Sequence, residues 1–141
     1  MSNTPLFADT PASRVADPAA LAGRLLLAAL FLLSGFSKIT APAATIGYIQ
    51  SVGLPLPEVG YGLAVFVEVV GGLALVLGFK TRWVAAGLAI FTVATALVFH
   101  KDLADQNQFI HFFKNISIAG GLLQVVAFGA GRFSLDARRT R

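Results

Sequence analysis

The stretch AVFVEVVGGLALVLGFKTR, Ala64 to Arg82, decides how the chain is read. A single carboxylate, Glu68, interrupts an apolar run that ends at the basic turn Lys80-Thr81-Arg82, and a second apolar run follows at once from Trp83 to Phe99. About 20 residues of helix cross a hydrocarbon core, and about 17 suffice when tightly placed. With Ala19 to Ser37, Val59 to Phe79 and Phe109 to Ala130, the chain offers four such runs. They are continuous and helically spaced, whereas a small barrel would show alternating segments of about ten residues. Joined by so short a turn, the second and third helices must be antiparallel neighbours.

Composition agrees. At 56% hydrophobic and 13% charged residues, the 141-residue chain could not form a soluble domain without large exposed apolar patches. The expected architecture is all-α: an integral membrane antiparallel four-helix bundle. Residues 1–16 read as a disordered cytoplasmic tail, 17–131 as the membrane domain starting at Asp17-Pro18, and 132–141 as a basic cytoplasmic tail along anionic lipid. Between the first two spans, Ala43 to Val52 reads as a short interfacial helix stopped by Gly53-Leu54-Pro55-Leu56-Pro57. The neutral to acidic start MSNTPLFADT and the position of Lys38 speak against a cleaved leader.

The net charge of +4 is a membrane feature and not a nucleic-acid one, because the basic residues flank the spans instead of forming a stripe with aromatics. Arg14, Arg24, Lys80, Arg82, Arg132, Arg138, Arg139 and Arg141 fall on one side and Lys38, Lys101 and Lys114 on the other, which predicts that both termini are cytoplasmic. Cysteine is absent, excluding thiolate chemistry and cysteine-ligated clusters. His100 and His111 have no further metal-type neighbours, so no metal site is expected, and no catalytic residue is assigned.

Helical spacing explains where Glu68 points. Tyr61, Ala64, Glu68, Gly71, Gly72 and Leu75 share one face, so the carboxylate lies on a small-residue surface suited to close helix approach. Arg24, Ala28, Phe31, Gly35 and Lys38 form a similar stripe on the first helix, and His111, Lys114, Ser117, Gly121 and Gln124, with Asn115 adjoining, on the fourth. Gly35, Gly71, Gly72, Gly120 and Gly121 are read as helix-packing residues. An unpaired charge at mid-bilayer costs about 2.5–3.5 kcal/mol on insertion scales, so Glu68 must be paired, hydrated or protonated. Depth along the helices makes Lys114 the first candidate partner and Arg24 the second, with Lys38 more easily hydrated. The ligand-site candidates are accordingly Glu68, Lys114, Asn115, Arg24, His111 and Gln124.

The strings RLLLAALFLLSGFSK, EVVGGLALVLGFKTRWVAAGLA and FFKNISIAGGLLQVVAFGAGRFSLD, in this order, resemble the DoxX family of small four-span bacterial membrane proteins over Leu21 to Asp136. The resemblance implies a bacterial inner-membrane location, and it marks Arg24, Gly35, Lys38, Glu68, Gly72, Gly78, Arg82, Lys114, Asn115, Gly120, Gly121, Ser134 and Asp136 as family-typical positions. It also implies a link to quinone-dependent sulfur oxidation and oxidative-stress complexes, although it transfers architecture better than chemistry. Two functional expectations follow. One is a redox-associated subunit, working with a redox partner protein, whose polar site binds a quinone or similar small aromatic. The other is a non-catalytic assembly partner or stress-related permeability factor whose buried charges serve helix packing. Lipids are the expected surroundings, and self-association is open to four helices with so much free surface.

Overall fold

The computed structural model describes residues 11–139, with side chains from residue 15, and the first ten residues of the expected tail lie outside it. Six helices follow one another: α1 Pro11–Thr40, α2 Pro42–Ser51, α3 Pro57–Leu77, α4 Thr81–Phe99, α5 Gln106–Phe128 and α6 Leu135–Arg139. Among them, α1 from Val15, α3, α4 and α5 are long and apolar enough to cross a membrane. No strand occurs among the described residues.

The expected start at Asp17-Pro18 is passed, because α1 extends back to Pro11 and holds Pro18 inside it. Near a helix end a proline removes one backbone hydrogen bond, and the Ala-rich residues around it favour the helix. A short helix does stand between the first two spans, α2, led by Pro42 and closed at Val52. Gly78, at φ +66°, ends α3 in the left-handed conformation, and its N–H and that of Phe79 return to carbonyls of the last turn. Asp105 caps α5 by accepting from the Gln108 N–H at 2.9 Å.

Packing is uneven around the bundle. α1 lies along α3 and α4 along α5, while α3 meets α4, and α1 meets α5, over shorter lengths. The buried core gathers Ala28, Phe31, Leu75, Ala85, Leu88, Ala89, Ala119 and Leu122. Four of the glycines read as packing residues face a side chain of another helix. A Cβ at Gly35 would meet Val69, one at Gly71 would meet Leu88, one at Gly72 would meet Leu32, and one at Gly121 would touch Leu27. Gly120 differs, since among the described residues nothing lies within 4 Å of the place a Cβ would take.

Candidate functional site

Two polar assemblies occupy opposite ends of the bundle. At the end where α1 begins and α6 lies, called the terminal end below, Arg24 is 1% exposed. Its guanidinium donates from Nη1 to the Ala130 carbonyl at 3.0 Å and from Nη2 to the Phe133 carbonyl at 2.8 Å. Asp136 accepts from the Lys80 N–H at 2.7 Å and the Thr81 N–H at 2.8 Å, capping α4 from 55 residues away. Its own N–H donates to the Gly78 carbonyl. Partial burial pushes the Asp136 carboxyl upward, but donors from Thr81 and Lys80 and the charge of Arg139 outweigh it and hold the group below the ordinary aspartate value. Asp17 accepts from the Arg132 N–H at 3.0 Å. The segment after α5 is therefore a clasp tying the ends of α1, α3 and α4 together, where a basic tail along lipid was expected.

The other assembly surrounds Glu68. Its partner is Lys38: Nζ donates to Oε1 at 3.0 Å and Oε2 at 2.9 Å, and to Ser34 Oγ at 2.7 Å. The side chains are 24% and 7% exposed for Lys38 and Glu68. This corrects the expectation of Lys114 or Arg24. Depth measured at Cα ignores that helical side chains lean toward the N-terminus of their helix. Lys38, late in α1, leans inward, while Glu68, in the oppositely directed α3, leans outward to meet it. Arg24 leans toward the terminal end, away from Glu68. Lys114, early in α5, leans outward, and its Nζ donates to His111 Nδ1 at 2.9 Å.

The pair forms part of the lining of a cavity of about 720 Å³ in the half of the bundle opposite the termini. All five of the longer helices contribute to it, with Phe31, Ile49, Phe91 and Ile118 among the apolar walls. Asn115 lines it and donates to Thr95 Oγ1 at 3.3 Å, leaving its carbonyl without a partner among the described residues. His100 and His111 stack at 5.1 Å between ring centroids beside Lys114. The cavity therefore holds Glu68, Asn115, Lys114 and His111 together, and Lys38 with them. It excludes two candidates. Arg24 is committed to the clasp, and Gln124 is exposed on α5 beyond the Ala119–Leu122 core layer.

Sequence reasoning missed Ser34, the third acceptor for Lys38, and Tyr48, which brings α2 to the cavity and donates to the Phe99 carbonyl at 3.3 Å. The repeated spacing of four that places Ser34 one turn before Lys38 was an available signal.

Four helices long and apolar enough to cross a membrane, packed around a shared core, define a small multi-pass membrane protein. The chain belongs to the DoxX family, whose model matches residues 19–101. It is similar to inner membrane protein YqjF of Escherichia coli strain K12, with 37% identity over 126 residues, covering 87% of this chain and 93% of that one. It is also similar to inner membrane protein YphA of the same organism, with 36% identity over 124 residues, 84% of this chain and 88% of the other. No solved structure matches it.

Proposed function

We propose that the chain is an inner-membrane subunit, both termini cytoplasmic, whose cavity binds a quinone or similar small aromatic in a redox-associated complex. The observation that carries this reading is the cavity itself. Its volume of about 720 Å³ lies within the range of about 300–1,000 Å³ usual for small-molecule sites. Its walls are mostly apolar, and its polar groups converge from α1, α3, α4 and α5. Ring carbonyls need hydrogen-bond donors, which Lys114 and the Asn115 amide supply, and a planar ring can lie against Phe31 or Phe91. Glu68 supplies a protonatable group one side chain away. With no cysteine to hold an iron–sulfur cluster, electrons in this reading reach the site from a partner subunit.

One observation favours the alternative of a purely structural role. Lys38 places all three of its N–H donors, and both Glu68 oxygens are taken, so the pair is complete without a ligand. Calorimetric titration of purified protein with a short-chain quinone separates the two. Saturable binding that Asn115→Leu weakens at least tenfold, with unchanged unfolding temperature, supports the ligand site. No saturable binding to the wild type leaves the ion pair as packing chemistry.

A further inference from the structure

A second cavity, of about 590 Å³, opens at the terminal end between the α3–α4 turn and the clasp. Lys80, Arg82 and Arg139 line it together with Trp83 and Phe128. Trp83 is 82% exposed and Phe128 79%, so the apolar rim faces outward at the level where α4 begins and α5 ends. We infer that this cavity binds the phosphate group of an anionic phospholipid, with Lys80, Arg82 and Arg139 around the phosphate and the acyl chains running over Trp83 and Phe128.

The charge arithmetic favours an anion. None of the three cations lies within 4 Å of a carboxylate, since Lys38–Glu68 is the ion pair found among the described residues. The one acid in the lining, Asp136, is occupied by the Lys80 and Thr81 backbone amides and lies within electrostatic reach of both the buried Arg24 and Arg139. Three cations and one engaged carboxylate leave a net excess of positive charge facing the opening.

Two of the cations have defined neighbours in the fold. Gly129, at φ +80°, folds the chain back so that its α-carbon faces the Arg82 guanidinium, and a Cβ there would stand 3.3 Å from Arg82 Nε. The positive φ favours glycine there, and a side chain would press on the Arg82 head. Arg139 lies 5.7 Å over the Phe79 ring, which restrains its planar head without using its donors. A guanidinium so positioned presents paired N–H donors suited to phosphate oxygens. The neighbouring tryptophan is a residue type enriched at the membrane interface, where headgroups lie. Free inorganic phosphate shares the same chemistry but has no use for the apolar rim. The lipid is the occupant that uses both.

The test is native mass spectrometry of the full chain released from detergent after equilibration with equal phosphatidylglycerol and phosphatidylcholine. The wild type is expected to retain phosphatidylglycerol preferentially. Each cation removed should lower that preference about fivefold, from roughly one unit of surface electrostatic energy per basic residue. Arg82→Gln should show the loss, Arg82→Lys should restore part of it, and Arg138→Gln, outside the cavity lining, should leave it intact. Should Arg82→Gln fold poorly, Arg139→Gln in the short α6 gives the same readout. Equal retention of both lipids by the wild type, or an equal loss in Arg138→Gln, overturns the site in favour of diffuse attraction. Displacement of phosphatidylglycerol by millimolar inorganic phosphate would instead make it a soluble-anion site and overturn the lipid assignment.

Discussion

Replacing Lys38 by methionine keeps the length of the side chain and removes its charge, leaving Glu68 7% exposed among apolar groups with no cation. Breaking a buried ion pair from one side typically costs about 3–5 kcal/mol, because the remaining charge stays desolvated. Lys38 itself is 24% exposed, so its site admits some water, and the lower end, about 3 kcal/mol, is the appropriate figure. By the scale of globular proteins of similar length, that lowers Tm by about 6–12 °C. Glu68→Gln should cost less, since an amide tolerates burial better and can still accept from Lys38. The double variant Lys38→Met/Glu68→Gln removes both charges and should be more stable than Lys38→Met alone, giving a coupling of about 1.5–3 kcal/mol. Thermal unfolding in detergent, followed by helical circular dichroism, reads all four proteins. Single-variant losses under about 1 kcal/mol that simply add would refute the account of the pair as a desolvated unit.

Gly78→Ala should be strongly destabilising, by about 2 kcal/mol or more, because the residue has φ +66° and its new methyl would collide with Arg24 and Ser134. The same assay should show Gly120→Ala as neutral or stabilising by up to about 1 kcal/mol, as among the described residues nothing stands where its methyl would go; a loss would indicate that Gly120 packs against a partner. For Asp136, a folded-state pKa held below the ordinary 3.8 means that its contribution is fully present above that value and is lost as pH falls through the folded pKa. The Tm difference between wild type and Asp136→Asn should therefore be constant near neutrality and shrink below about pH 4; a difference that grows on acidification would reverse the assignment.

Much of the bundle is written in apolar run lengths and in two turns. Lys80 to Arg82 forces the α3–α4 hairpin, and the glycines of the Glu68 face announce the close approach of α1 and α4. The site was legible in part, since the positions of Glu68, Lys114 and Asn115 follow from helical spacing. Their pairing did not follow, because it depends on the tilt of each side chain toward its helix N-terminus and on which helices pack most closely. The clasp was not legible either. Asp136 caps a helix 55 residues earlier in the chain, and no local pattern records a cap that arrives from so far away. Arg24 read as a ligand-site candidate and the second candidate partner for Glu68. Its carbonyl acceptors belong to Ala130, at the end of the fourth apolar run, and Phe133, in the segment whose basic composition suggested a tail.

The central claim is that the cavity beside Glu68 holds a small molecule. Ala64 lines this cavity without making any of its polar contacts, so Ala64→Phe puts a ring into the space without replacing Lys38, Glu68 or Asn115. The decisive measurement is the quinone content of wild-type protein and of Ala64→Phe, purified gently from native membranes at matched yield. The account predicts near-stoichiometric quinone in the wild type and little in the variant. The same content in both, or none in either, would contradict it.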